Sequence, residues 1–249
     1  MIPLEDPTTL SLLFHLNSEP WLNDEAYKGG AMNQELKVPD GTIAEVPLPQ
    51  TGESALMDLI ERRSSCREFA PIEMPLEHAA ALLAASYGAI APARFNGQAA
   101  FLRRTVPSAG GLFPLELYTF TQRVQGLEDG LYHYDVVAHS LHQLQRGNLF
   151  PTLEPMFYTY PFMKDANLVV AMAAVFLRTQ KKYGPRGYRY ILMEAGHVAQ
   201  NLSLRAIELG LTTLCMGGFL DSFLNKLLGL RLGEEGVVYT VAAGFDAAR

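Results

Sequence analysis

The chain has 249 residues, 49% of them hydrophobic and 18% charged, with a formal net charge of −6. That length suits one large domain or two small ones, with a core burying about three quarters of the unfolded surface, and the composition excludes a disordered chain. The acidic balance argues against a non-specific nucleic-acid binder, which needs a basic face; two cysteines, Cys66 and Cys215, are too few for a disulfide framework and fit a reducing compartment.

The opening Met1-Ile2-Pro3-Leu4-Glu5-Asp6-Pro7 has no basic stretch followed by an apolar one, so no signal peptide is expected. The longest apolar run, 168–177, ends at Arg178, well short of the about 20 residues that span a bilayer. The expectation is a cytoplasmic protein with neither membrane nor nucleic acid as partner. Residues 1–52, rich in Pro, Asn, Asp, Glu and Gly, read as an arm or lid on a body at 53–249, with the joint at Pro47, Pro49 and Gly52.

Leu56, Leu59, Ile60 and Arg63 predict a helix over 53–62. A second is predicted over 75–87, with Pro75 at its first position, Gly88 at C′ and an alanine-rich face that lets another backbone pack close. Strands are predicted over 115–121, 131–135 and 140–144, the last two as a hairpin, and a buried strand over 168–175. A long helix over 189–209 carries the stripe Leu192, Ala195, Val198, Ala199, Leu202 and Ala206, and Gly210 ends it. Strands near 212–216 and 237–243 complete the body. Helices and strands do not alternate regularly, so the fold class is α+β and not a doubly wound sheet.

Four segments hold the residues of chemical interest. In Arg62-Arg63-Ser64-Ser65-Cys66-Arg67, cations at a helix C-terminus suit plain dipole capping; guanidinium forks beside hydroxyls also suit a phosphate clamp. Pro107-Ser108-Ala109-Gly110-Gly111 is either a tight turn or a loop whose main chain lies flat against a planar ligand. The stretch from Lys181 to Tyr190 interleaves tyrosines with lysines and arginines. It is either a solvated basic loop or a source of general bases. Gly217-Gly218 is either a turn or a close backbone approach. His139 and His142 fit no metal site, because their spacing on a strand puts them on opposite faces, and no metal is expected. Cys66 lies among arginines that would lower its pKa, but without a histidine partner it reads as structural.

Taken in order, these segments resemble the flavin-dependent nitroreductase superfamily and, within it, the SagB-type azoline dehydrogenases. The resemblance spans about 53–249. It rests on Arg63-Ser64-Ser65-Cys66-Arg67-Glu68-Phe69, on 107–111 with Pro114 and Glu116, on Lys182-Tyr183-Gly184 with Arg186-Gly187-Tyr188-Arg189-Tyr190, and on Glu194-Ala195-Gly196-His197 with Gln200-Asn201-Leu202. Arg62 leaves the register of the first pattern open by one residue, and Phe14-His15 is the one familiar piece of the arm.

The resemblance implies a mixed, mostly antiparallel sheet flanked by helices, with FMN at a homodimer interface. The stripe on the 189–209 helix is long enough to serve as that interface. Arg63, Ser64, Ser65 and Arg67 would bind the phosphate and ribityl end, with Arg249 as a further contact; Pro107, Ser108, Ala109, Gly110, Gly111, Gly217 and Gly218 would lie along the isoalloxazine. Lys182, kept partly neutral by burial and nearby cations, or Tyr183 would take a proton from the ring. The implied reaction turns a thiazoline or oxazoline into a thiazole or oxazole, with dioxygen reoxidising the flavin. The substrate would be a peptide or a carrier-bound intermediate, and partners in a biosynthetic complex are expected. Two other readings stand beside it: an NAD(P)H-dependent nitro- or quinone reductase, and a non-catalytic subunit of a peptide-modifying complex.

Overall fold

The computed structural model describes residues 9, 13–15, 18, 40–41, 43–49, 52–95 and 98–248, with 91–101 as backbone only. Most of the arm and Arg249 therefore lie outside the described residues. Leu13 to His15 are described: His15 is buried, with Nδ1 3.2 Å from the Tyr188 hydroxyl and Nε2 3.3 Å from Asp221 Oδ1.

Helix α1 (Ala55–Arg62) starts where the Ser54 hydroxyl accepts the Met57 N–H at 3.1 Å. None of its residues is buried against the described chain. Strand β1 (Phe69–Ala70) and α2 (Leu76–Tyr87) follow, then an unanticipated hairpin of β2 (Ala89–Phe95) and β3 (Gln98–Arg104). Strands β4 (Leu115–Thr121), β5 (Gly130–Asp135), β6 (Ser140–Arg146) and β7 (Leu168–Val175) come next. Helices α3 (Phe176–Tyr183) and α4 (Arg186–Glu208), β8 (Thr212–Met216), α5 (Asp221–Leu227) and β9 (Glu235–Asp246) complete the chain.

Apart from the β2–β3 hairpin, these strands form one seven-stranded sheet in the order β1-β9-β7-β4-β5-β6, with β8 also on β9. Its strands pair antiparallel; parallel contacts are isolated bridges, such as Ser65 with Thr213. The α+β class and the mostly antiparallel sheet expected from the resemblance are both present.

Strand β7 explains the layering. Its continuous apolar run is buried on both faces. Leu168, Val170, Met172 and Ala174 join one cluster with Leu82 and Leu83 of α2 and Ala195 and Leu202 of α4. Val169, Ala171 and Ala173 join the other, with Phe150, Leu153, Met163 and Leu224. The alanine-rich α2 packs on α4 as expected. That packing corrects the reading of the α4 stripe as an interface: Ala195, Val198, Ala199, Leu202 and Ala206 are buried in the chain's own core, and Leu192 stays 38% exposed.

The stretch from Lys181 to Tyr190 is not a loop. It forms the end of α3, an elbow at Gly184-Pro185 and the start of α4. The two helices meet closely, since a Cβ on Gly187 would lie 3.0 Å from the Gln180 Cα.

Candidate active site

The loop after β3 turns sharply into β4. Residues Ala109–Gly111 form one 3₁₀ turn, and Gly110 (φ +65°), Gly111 (φ +66°) and Phe113 (φ +45°) are all left-handed. For Phe113, a non-glycine, that conformation costs roughly 1–2 kcal/mol and must be held by its surroundings. The Ser108 hydroxyl accepts the Phe113 N–H at 2.9 Å.

Beneath the loop lies a buried polar network. The Tyr87 hydroxyl donates to Glu194 Oε1 at 2.7 Å and accepts the Leu115 N–H at 3.2 Å. Ser108 also hydrogen-bonds Glu194. The Arg104 guanidinium sits 4.3 Å from the Tyr87 ring centroid and 4.8 Å from that of Phe113, a cation–π sandwich. Burial pushes the Glu194 carboxyl above the usual range against the opposing pull of Ser108, Tyr87 and Arg104. Burial and the adjacent Glu194 likewise raise the Tyr87 phenol. Two clefts flank the loop. One, of about 430 Å³, is lined by Arg104, Ser108, Gly111 and Phe113; the other, of about 270 Å³, by Ala109, Tyr190, Met193 and His197.

Lys182 and Tyr183 reach the same loop from α3. A Cβ built on Gly110 would lie 2.8 Å from Lys182 Nζ and 2.8 Å from the Tyr183 hydroxyl. The Tyr183 ring packs edge-on against Tyr190, 5.0 Å between centroids, and Lys182 Nζ is 5.3 Å from the Tyr183 centroid. Lys182 is exposed, so the burial expected for it is absent.

The arginine corner lies elsewhere. Arg62 pairs with Asp58 at 2.8 Å, whereas Arg63 and Arg67 have no acceptor among the described residues; Ser64 and Ser65 are exposed. The corner is tied down by main chain: Ser65 bridges Thr213, and the Cys66 N–H donates to the Thr213 carbonyl at 2.9 Å. Thr213 Oγ1 in turn donates to Ser203 of α4 at 3.0 Å. Ser203 and Glu194 share α4 and are roughly 14 Å apart along its axis at 1.5 Å per residue. One chain thus brings Lys182 and Tyr183 to the 107–111 loop but does not bring the arginine corner there.

Gly217 and Gly218 follow β8. A Cβ on Gly217 would meet nothing within 4 Å among the described residues, so none of them approaches closely enough to require a glycine there. The arginines do not lower the Cys66 thiol. Burial pushes it up, and it donates to the Glu68 carbonyl at 3.2 Å. His139 bonds the Tyr134 hydroxyl at 2.8 Å and His142 lies 3.8 Å from Asp135. Among the described residues no group of three or more His, Cys, Asp or Glu could hold a metal ion, and no helix is long and apolar enough to cross a membrane.

In the sequence, Tyr87, Arg104 and Arg178 carry no mark of a site; Glu194 does, as an acid on the apolar face of α4, which needs a buried partner.

A model of the nitroreductase family matches residues 60–245. The chain belongs to the nitroreductase family. That membership makes it an oxidoreductase. The chain is 35% identical over 191 residues to MJ1384 of Methanocaldococcus jannaschii, itself named as a nitroreductase, covering 77% of this chain and 92% of that one. It is 28% identical over 136 residues to the microcin B17-processing protein McbC of Escherichia coli, covering 52% of this chain and 49% of McbC. Among solved structures, a nitroreductase from Anabaena variabilis superposes with a TM-score of 0.65 at 31% identity; the match spans 77% of this chain but 38% of that one. The E. coli microcin synthetase McbBCD complex, with truncated pro-MccB17 bound, gives a TM-score of 0.71 at 19% identity over 96% of this chain and 92% of that chain, a likeness of fold.

Proposed function

We propose that this chain is an FMN-dependent dehydrogenase that oxidises a thiazoline or oxazoline ring to the thiazole or oxazole, on a peptide or carrier-bound intermediate. The observation that carries this reading is the convergence of Lys182 Nζ and the Tyr183 hydroxyl on the main chain of Gly110. Removing two hydrogens from a saturated ring carbon pair requires a base at the carbon that loses its proton. A nitro- or quinone reductase has no such requirement. Lys182 and Tyr183 present one nitrogen and one oxygen to one point, so the member of the pair that is deprotonated there accepts the proton while the other donates a hydrogen bond to the ring heteroatom. The peptide-processing relative McbC supports a peptide as substrate.

The chain's residues suit FMN. Arg63 and Arg67 offer guanidinium groups without acceptors among the described residues, beside the hydroxyls of Ser64 and Ser65, the donor set for a phosphate. Pro107 to Gly111 and Gly217-Gly218 offer main chain free of bulky side chains for a planar ring. Bound FMN would supply the two-electron acceptor for the ring and pass those electrons to dioxygen. The pre-set left-handed loop orients the substrate ring, and the network of Tyr87, Glu194 and Arg104 keeps that loop from relaxing. A homodimer completes the reading: α1 leaves Leu56 58% and Ile60 39% exposed, and α4 leaves Met193 55% exposed, apolar side chains that a second copy would cover. That second copy would bring its arginine corner toward this chain's loop. Arg249 belongs to the same proposed phosphate site, residues 1–52 are the arm, and the peptide's partner proteins would dock on the dimer.

The test is anaerobic bleaching of the flavin-loaded protein. A peptide carrying one cysteine-derived thiazoline should bleach it without NADPH, and Lys182→Ala should keep its flavin and lose turnover. Similarity to MJ1384 favours the reductase as the second reading; rapid bleaching by NADPH alone would select it. A protein that takes up no FMN would leave the non-catalytic subunit.

A further inference from the structure

The helix that carries Lys182 and Tyr183 has eight residues, and isolated helices below about 12 residues are marginal. Among the described residues no side chain caps its first turn. Its angle to the loop is therefore set by what its side chains hold. Arg178 and Lys182 are one turn apart and share a face. Arg178 Nη1 donates to the Phe113 carbonyl at 3.3 Å, and Nη2 pairs with Glu116 Oε1. The other Glu116 oxygen lies 2.9 Å from His133 Nε2. Phe113 is thus gripped at both ends, its N–H by the Ser108 hydroxyl and its carbonyl by Arg178. Helix and loop meet at two points: Arg178 on Phe113, and Lys182 with Tyr183 at Gly110. Buried Phe176, Thr179 and Gln180 and the close packing on α4 fix α3 against the rest of the chain; these two points fix it against the loop.

We propose that Arg178 is the positioning residue of this site: its guanidinium, locked by Glu116, sets α3 against the 107–113 loop and so holds Lys182 Nζ and the Tyr183 hydroxyl at Gly110. This rests on the reading that Lys182 and Tyr183 serve the substrate. The geometry calls for arginine, because one planar fork addresses a carbonyl and a carboxylate together, whereas an ammonium is a single point. Glu116 is suited to the lock. Burial works against its charge, yet His133 and Arg178 hold its carboxyl below the usual range.

The experiment uses flavin-loaded, full-length protein with Arg178→Met, Arg178→Lys and Lys182→Ala. The probe is a short peptide carrying one cysteine-derived thiazoline. Anaerobic flavin reduction is followed against peptide concentration, and hydrogen exchange over 176–184 is measured without peptide. Arg178→Met should slow the limiting rate about 10²-fold, the size expected for a 1 Å misplacement. The half-saturating peptide concentration and flavin content should be unchanged, and exchange over 176–184 should rise. Arg178→Lys, which keeps the charge and guards against a failure to fold, should show the same rate loss. Unchanged rates in both Arg178 variants, with Lys182→Ala inactive, would remove Arg178 from this role and leave the acid/base reading intact. So would a loss confined to half-saturation, or unchanged exchange. Full activity of Lys182→Ala would remove the acid/base reading and this proposal with it.

Discussion

The loop at 107–113 and the corner at 62–67 are built on opposite plans. In the loop, side chains hold main chain: Ser108, Tyr87, Glu194, Arg104 and Arg178 converge on a backbone with three left-handed residues. In the corner, main chain holds main chain through Thr213, and the side chains of Ser64, Ser65, Arg63 and Arg67 stay partly or fully exposed. The contrast separates two demands. On the proposed function the loop would hold reacting atoms, which must be fixed before substrate arrives, so one chain builds that part alone. The corner would be an anion clamp of long, flexible arginines, ordered by the anion itself and needing only a fixed base.

The largest effect should come from a methyl group at the point of convergence. Gly110→Ala would bring its Cβ to 2.8 Å from Lys182 Nζ and the Tyr183 hydroxyl. Both are flexible ends, so they yield and the fold persists, at a backbone cost of roughly 1–2 kcal/mol for the left-handed position. Thiazoline-driven bleaching should fall at least about 10²-fold with flavin retained. Gly126→Ala is the matched control, because it carries the same left-handed strain (φ +72°) and nothing among the described residues lies within 4 Å of its added Cβ; equal losses in the two variants would erase the contrast.

Next comes stability. Tyr87→Phe leaves the Leu115 N–H and one Glu194 oxygen without their partner in a buried site, a penalty of about 1–3 kcal/mol that a urea titration reads directly. Arg63→Ala and Arg67→Ala should stay within about 0.5 kcal/mol of the parent. Each should nevertheless weaken FMN binding by about 1.5–3 kcal/mol, the worth of a charge-assisted hydrogen bond, or roughly 10- to 150-fold. Arg62→Ala, which loses only the pair with Asp58, should leave FMN affinity alone. If Arg62 proves to be the residue that matters, the register of the clamp is off by one.

The same contrast decides what the sequence made legible. Strands β4 and β7 stand out because alternating or continuous apolar runs report burial directly. The β2–β3 hairpin does not, because Pro92 breaks the strand pattern, at a place where the pairing shifts register. Helix α3 hides for another reason: its buried face is Phe176, Thr179 and Gln180, so no apolar period betrays it. In the proposed site, the corner, the small-residue loop and Lys182-Tyr183 stand out in the sequence because each is a local run of chemistry-bearing residues. The Arg104–Tyr87–Glu194 network does not. Its members come from β3, α2 and α4, and only the fold reveals that the acid at 194 answers the phenol at 87.

The smallest effect is the pH dependence, and its sign separates the buried Glu194 from the half-buried Glu116 beside the loop. Burial raises the folded-state pKa of Glu194. Its contribution to stability is fully present below the unfolded value near 4.5 and is lost as pH rises through the raised folded value. Glu116 runs the other way. Its folded pKa is lowered despite burial, through His133 and Arg178, so its contribution is present above about 4.5 and is lost as pH falls through the lowered value. Glu194→Gln keeps an acceptor for Tyr87 and removes the titration, so it should flatten the fall in melting temperature on the neutral side of pH 4.5. Glu116→Gln should flatten the acid side. Identical profiles for the two variants would mean that the acid beneath the loop and the acid beside α3 share one environment. The locked loop would then be no different in kind from the rest of the surface around it.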